Sequence, residues 1–116
     1  MKEDYVNFEV AKLLEKNGFD ERCYKKYNSS GDLCDSTDFT YGPKAPTLQM
    51  AMKWLREIHR LFIEISVNIN LDDKYYYYSA IYDKDMNIKK SPVENKYDTY
   101  EEATMDAINY CLTRLL

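Results

Sequence analysis

Residues 61–82 read LFIEISVNINLDDKYYYYSAIY and contain the clearest secondary-structure pattern in the chain. An isoleucine or valine stands at every odd position from 63 to 69, and a polar residue stands at every even position from 64 to 70. This period of two predicts a strand with one buried and one solvent-facing side. The turn residues 71–74 and the β-rich run Tyr75–Tyr82 predict a return strand, so the stretch should form an antiparallel hairpin.

Three helices are predicted around this hairpin from apolar residues at helical spacing. The first runs from about Asn7 to Asn17, with Gly18 suited to a left-handed cap. The second runs from about Pro46 to Arg60, since proline is favoured in a first helical turn. The third opens at Thr99, where Glu102 three residues later completes a capping box.

The remaining segments are predicted to be a second hairpin and a loop. Residues 22–41 mix aromatic and aliphatic side chains with the turn cluster Asn28–Asp32, which predicts two short strands. A polar loop is predicted from Asp83 to Asp98. The element order is therefore αββαββα, and residues 1–116 form a single α+β domain. We expect an antiparallel sheet packed by helices in two or three layers.

Composition and charge exclude several classes of function. The chain is 45% hydrophobic and 31% charged, which is typical of a globular domain. Its net charge is −4, and its 16 basic residues are spread among 20 acidic ones. Duplex nucleic acid and anionic membrane surfaces both require concentrated Lys and Arg, so neither is an expected partner.

Three features predict a cytoplasmic location. The first residues, Met-Lys-Glu-Asp-Tyr-Val-Asn-Phe, lack the apolar run of a secretory signal. The apolar stretch Leu61–Ile69 is short and interrupted by polar residues, so it should not span a bilayer. The cysteines Cys23, Cys34 and Cys111 are odd in number and widely spaced, which favours free thiols in a reducing compartment.

One segment has the spacing of a calcium-binding loop. Asp83, Asp85, Asn87 and Glu94 stand at oxygen-ligand positions of an EF-hand. However, Ile88 stands where that loop requires glycine, and a predicted strand precedes it instead of a helix. We therefore interpret the segment as a solvated acidic loop and predict no metal site.

Catalytic patterns are weak in this sequence. His59 is the one histidine, and a pocket that joined it to Cys23 or Cys34 would make a small-ligand protein or an enzyme. His59 stands at the end of the second helix, where it can interact with the helix dipole instead. Phosphate-binding glycine loops and paired-cysteine metal motifs do not occur. We predict no catalytic residue and no cofactor.

The most informative feature is aromatic: twelve tyrosines, of which Tyr75–Tyr78 are consecutive. If Tyr75 and Tyr77 point into the core, then Tyr76, Tyr78 and Tyr82 point outward beside Glu64, Ser66 and Asn68. The opposite register would exchange the two sets. The outward rings could simply be covered by the N-terminal hairpin of residues 22–41 or by the loop after Tyr82. Alternatively they form a recognition surface, because tyrosine is enriched at interface hot spots.

The leading prediction is a non-enzymatic interaction module that binds a protein partner or forms a homodimer through Tyr76, Tyr78 and Tyr82. A single-stranded nucleic-acid binder is the alternative, since bases stack on aromatic rings. That function would use the same tyrosines together with four lysines, Lys74, Lys84, Lys89 and Lys90.

Three segments carry a resemblance to known sequences: residues 8–23, FEVAKLLEKNGFDERC; residues 45–59, APTLQMAMKWLREIH; and residues 100–112, from Tyr100-Glu-Glu-Ala to Tyr-Cys-Leu. Together they resemble small proteins of unassigned activity in gut-bacterial genomes and their phages or mobile elements. The middle segment is the most distinctive of the three. The resemblance implies a cytoplasmic accessory role, in phage–host interplay, and it carries over no functional residue.

Overall fold

The structure, a computed structural model, describes residues 4–37, 41–91 and 96–116. The last EF-hand position, Glu94, lies outside these ranges. Part of the hairpin predicted for residues 22–41 also lies outside them, including Phe39. The elements in chain order are α1 (Phe8–Lys16), β1 (Lys25–Tyr27), β2 (Leu33–Asp35), α2 (Leu48–His59), β3 (Phe62–Ile69), β4 (Tyr75–Tyr82), β5 (Ile88–Lys90) and α3 (Tyr100–Tyr110), which continues into a π-helical turn (Cys111–Leu115).

The predicted α+β class is confirmed, with two differences in the sheets. The strand β5 lies inside the segment predicted as a polar loop, so the order is αββαβββα. The strands also divide into two antiparallel sheets, a β1–β2 hairpin and a three-stranded sheet in the order β3-β4-β5. Within the second sheet, β3 and β4 form the antiparallel hairpin that residues 61–82 predict.

Each helix begins where a side chain can accept a free backbone N–H. Asn7 Oδ1 accepts from Val10 at 2.8 Å, and Thr47 Oγ1 accepts from Met50 at 3.2 Å. Thr99 Oγ1 accepts from the Glu102 N–H at 3.1 Å, as the capping box predicts. The second helix therefore begins one residue after Thr47, and Pro46 precedes its cap instead of lying in its first turn.

A left-handed residue turns α2 directly into β3. Arg60 has φ 55°, and its backbone N–H donates to the carbonyl of Leu55. The N–H of Leu61 donates to the same carbonyl at 3.1 Å. Both bonds give a partner to a carbonyl group at the end of the helix. The chain reverses direction at Arg60, so β3 starts beside the last turn of α2.

The β1–β2, β3–β4 and β4–β5 hairpins of the described residues close with the same turn geometry. The residue that opens each turn is Asn28, Asn70 or Asp83, and its side-chain oxygen accepts the backbone N–H groups two and four residues later. Its own N–H donates to the carbonyl of the fourth residue after it, at 2.9–3.0 Å. The third residue after it has positive φ in every case: Gly31, Asp73 and Met86. An Asx side chain favours this turn because it replaces a backbone acceptor.

The core joins all three helices to the larger sheet. Leu14, Leu55, Ile81 and Ile108 are fully buried and belong to one cluster that contains residues of α1, α2, α3 and β4. Burying such side chains is worth roughly 1.5–3 kcal/mol each. Tyr27 ties the small sheet to this cluster, because it packs against it and donates a 2.6 Å hydrogen bond to the carbonyl of Val6.

Candidate interaction surface

The register of β3 and β4 sorts the tyrosines onto two faces. Ser66 pairs with Tyr78 and Asn68 pairs with Tyr76, so these side chains share one face of the sheet. Phe62 pairs with Tyr82 on that same face. We call the face that carries Tyr76, Tyr78 and Tyr82 the tyrosine face; its other members are Phe62, Glu64, Ser66, Asn68, Ala80 and Ile88.

The opposite face, which we call the helix face, lies against the core. Ile63 pairs with Ile81 and Ile65 pairs with Ser79, and both β4 residues are fully buried. The ring of Tyr77 meets the ring of Tyr100 of α3 edge-on, with the centroids 6.4 Å apart. The first of the two predicted registers is therefore the observed one, but Tyr75 is 67% exposed and does not reach the core.

The side chains of the tyrosine face lie close together and are partly exposed. The ring centroids of Tyr76 and Tyr78 are 6.1 Å apart, and Lys96 Nζ lies 5.0 Å from the Tyr76 centroid. Tyr76, Tyr78 and Tyr82 are each half-buried. The helices that pack on this sheet are α2 and α3, and both contribute to the core beneath the helix face. Among the described elements, α1 and the β1–β2 hairpin make no substantial contact with this sheet, although Ala80 on the tyrosine face is buried.

A polar cluster that the sequence does not signal lies on the helix side of β5. Lys90 Nζ is 3.1 Å from Asp106 Oδ2 and donates to Ser79 Oγ at 3.2 Å. The same carboxylate oxygen accepts a 2.5 Å hydrogen bond from Tyr97. Burial, and then the hydrogen bond to Asp106, raises the pKa of Tyr97 to about 12. The cluster joins residues far apart in the chain, so spacing alone could not have found it.

Tyr97 and Asp106 also line a cavity of about 460 Å³ between the start of α1 and α3. Its other polar lining comes from Asn7, Glu9, Glu102 and Asn109. Glu9 is paired with Lys12 at 3.1 Å, and Asp106 is paired with Lys90. Because two of the three carboxylates already have cationic partners, the cavity carries little unbalanced charge.

The structure does not bring His59 together with Cys23. The ring of His59 packs edge-on against Trp54, with the centroids 4.7 Å apart, at the end of α2. Cys23 Sγ lies 3.8 Å from the sulfur of Met50, in the first turn of the same helix. Met50 and His59 are nine positions apart along this helix, a rise of about 14 Å. Burial also raises the pKa of Cys23, which disfavours the nucleophilic thiolate.

The four lysines of the nucleic-acid alternative do not form one surface. The side chain of Lys90 is 9% exposed and lies on the helix side, paired with Asp106. Lys89 Nζ lies 3.6 Å from Asp83, while Lys74 and Lys84 are exposed in two different hairpin turns. A lysine outside this predicted set, Lys96, lies over the Tyr76 ring of the tyrosine face.

The segment with the spacing of a calcium-binding loop forms a hairpin turn in the part that the structure describes. Asp83 accepts two backbone N–H groups of its own turn, at 2.9 Å each. These bonds, first of all the one from Asn87, lower the pKa of the Asp83 carboxyl. Residues 83–87 therefore form the β4–β5 turn. Among the residues described, no group of three or more His, Cys, Asp or Glu side chains is arranged to hold a metal ion.

Comparison of the chain with models of protein families, with curated proteins and with solved structures finds no match. No helix in the described ranges is long and apolar enough to cross a membrane. The resemblance to gut-bacterial and phage proteins, the cytoplasmic location and a binding role for Tyr76, Tyr78 and Tyr82 stay predictions.

Proposed function

We propose that this chain is a non-catalytic interaction module that binds a partner protein through the tyrosine face. The observation that carries the proposal is the placement of Tyr76, Tyr78 and Tyr82 together on the face that the described helices leave uncovered. Tyrosine brings a large, stiff contact area and a terminal hydroxyl, and it loses little conformational entropy on binding.

The surroundings of the three rings support a protein partner. Lys96 lies over the Tyr76 ring, and Glu64 lies on the same face, so the aromatic patch is bordered by both signs of charge. A patch of this kind resembles a protein–protein interface, with aromatic residues at its centre and a polar rim. A nucleic-acid site would need several free cations along the rings, whereas Lys89 and Lys90 are paired with Asp83 and Asp106.

The experiment uses the wild type and two double variants as bait and compares the proteins that each of them captures. Tyr76→Ser with Tyr78→Ser removes two rings from the tyrosine face. The control is Tyr24→Ser with Tyr41→Ser, which removes two tyrosine rings that lie outside the tyrosine face. It is suitable because these side chains are 84% and 91% exposed. Both double variants should keep the far-ultraviolet circular dichroism of the wild type.

The proposal expects a protein that is captured by the wild type and by the Tyr24/Tyr41 control but is lost with the Tyr76/Tyr78 variant. If every captured protein is retained equally by both variants, the tyrosine face is not the binding surface. Titration of the wild type with a labelled single-stranded oligonucleotide at low salt tests the alternative. Tight, salt-sensitive binding that needs Tyr76 and Tyr78 would replace a protein partner with nucleic acid.

A further inference from the structure

We infer that the chain forms a symmetric homodimer by antiparallel pairing of β3 with β3 of a second copy. This interaction uses the edge of the sheet, so it is separate from the tyrosine face and does not depend on the proposed function. The two edges of the three-stranded sheet differ in length and composition.

The edge formed by β5 is short and protected. β5 has three residues, and two of them are Lys89 and Lys90. Farther along β4, Tyr77 exchanges two 2.8 Å backbone hydrogen bonds with Tyr97, so that part of the strand is also paired. Lysines and short edge strands are common protection against unwanted strand pairing.

The edge formed by β3 has none of these protections. β3 runs for eight residues without lysine, arginine or proline, and Glu64 is its one charged residue. Within the described ranges, its partner strand is β4, and no strand pairs with its other side. A long edge of this composition is a template for pairing with another chain.

The backbone groups on that edge belong to the odd-numbered residues. Asn70 donates its N–H to Lys74 across the hairpin at 2.9 Å, so Asn70 faces β4. Backbone groups of an antiparallel strand alternate in direction, so those of Ile63, Ile65 and Val67 point to the free edge. The Ile69 N–H also points there, and the side chain of Asn68 accepts it at 2.8 Å.

The sequence of β3 is complementary to itself when the pairing is centred on Ser66. Ile65 then lies opposite Val67 of the other copy, and Ile63 lies opposite Ile69, all on the helix face. Glu64 lies opposite Asn68, and the two copies of Glu64 are roughly 13 Å apart along the strand. The central Ile65 and Val67 pairs exchange backbone hydrogen bonds through groups that already point outward.

The same pairing covers apolar surface that the monomer leaves exposed. Val67 and Ile69, at the end of β3 that leads into the hairpin turn, are 54% and 48% exposed. In an antiparallel pair, this end lies beside the start of β3 in the other copy, where that copy's α2 ends. The two-fold axis is perpendicular to the sheet, so the tyrosine faces of both copies lie side by side.

Solution mass measured by light scattering across a dilution series is the first test. The dimer predicts twice the chain mass at high concentration and a fall to the monomer mass on dilution. A monomer mass at every concentration would overturn the inference.

The edge is then tested with a matched pair of lysine variants. Val67→Lys and Ile88→Lys each place a lysine at an exposed apolar position, but on opposite edges of the sheet. Val67→Lys should weaken the dimer about 100-fold, since the symmetric interface carries the change twice and each copy costs about tenfold. Ile88→Lys should leave the dissociation constant unchanged. Equal dissociation constants for Val67→Lys and the wild type would contradict edge pairing.

A disulfide test fixes the register. In the Ser66-centred pair the two Ser66 residues are directly opposite in a non-hydrogen-bonded position, with Cα atoms about 4.5 Å apart, which a disulfide can span. In a Cys34→Ser background, Ser66→Cys should form a covalent dimer on oxidation and Glu64→Cys should not. Faster cross-linking of Glu64→Cys would overturn the register.

The tyrosine variants separate the two proposals. The Tyr76→Ser, Tyr78→Ser double variant should still dimerise, because those side chains lie on the face and not on the edge. Loss of the dimer in this variant, together with a dimer in Val67→Lys, would move self-association to the tyrosine face and overturn the inference.

Discussion

The hydroxyl of Tyr97 and Lys90 Nζ both approach Oδ2 of Asp106, at 2.5 and 3.1 Å. Tyr97 bridges to Tyr77 of β4, and Lys90 belongs to β5. One carboxylate of α3 therefore holds both segments that line the β5 side of the sheet. Because Lys90 is nearly buried, its charge depends on Asp106 for compensation.

Replacing Asp106 should therefore cost more stability than replacing an exposed ion-pair partner. We expect Asp106→Asn to lower the free energy of unfolding by about 2 kcal/mol, between the values typical of surface and buried pairs. Asp35→Asn is the control, because the Asp35 side chain is 70% exposed in its pair with Lys25; it should cost less than about 1 kcal/mol. Urea denaturation measures both, and equal losses would contradict the role of Asp106.

The raised pKa of Tyr97 predicts a loss of stability at alkaline pH. The pKa is 10.0 in the reference state and about 12 in the folded chain, so folding favours the protonated hydroxyl. The resulting stabilisation is complete below pH 10 and disappears as the pH rises through about 12. Tyr97→Phe should be less stable than the wild type at neutral pH, and the difference should shrink between these values. A difference that stays constant with pH in urea denaturation would exclude this linkage.

The three thiols should differ in reactivity. Cys23 and Cys111 are buried, and burial raises both pKa values, that of Cys111 to about 12. Cys34 is partly exposed in β2. A thiol reagent at pH 8 should therefore modify Cys34 rapidly and the other two only after unfolding. Cys34→Ser is the control and should remove the fast phase; a fast phase that persists would contradict the burial of Cys23 or Cys111.

The parts of the fold that the sequence predicts are those with local patterns. The alternation in β3 and the capping residue Thr99 depend on neighbours within a few residues, and both appear as expected. The period of two also places Tyr76 and Tyr78 on one face, but it leaves two registers open, and only the observed pairing of Ser66 with Tyr78 decides which face that is. The polar cluster around Asp106 depends on contacts between distant elements, and no local pattern encodes those contacts.

The strand β5 is instructive because a local signal for it does exist. The segment Asp83–Asn87 is polar and charged, and this composition predicts part of a loop. It nevertheless repeats the arrangement of Asn28–Asp32 and Asn70–Lys74, with an Asx residue that accepts two backbone N–H groups. An Asx residue that opens such a turn is therefore compatible with a hairpin after β4, which composition alone does not indicate.

These shared turns lead to the last prediction, which concerns the residue with positive φ. Gly31 stands there in the first turn, but Asp73 and Met86 have φ 58° and 63° in the other two. A side chain is strained in this region, and methionine more so than aspartate, which is better tolerated there. Met86→Gly should therefore raise the free energy of unfolding by about 0.5–1 kcal/mol, after the entropy cost of glycine, and Asp73→Gly by less.

Gly31→Ala is the reverse experiment and should destabilise the chain, since a Cβ at φ 82° would also lie 3.1 Å from the Phe8 ring. Thermal and urea denaturation of the three variants and the wild type should measure this order of stability, from most to least stable: Met86→Gly, Asp73→Gly, wild type, Gly31→Ala. If Met86→Gly were less stable than the wild type, strain at this position would not limit the β4–β5 turn. The entropy of the unfolded chain would then outweigh it, and a non-glycine residue there would be favourable for folding.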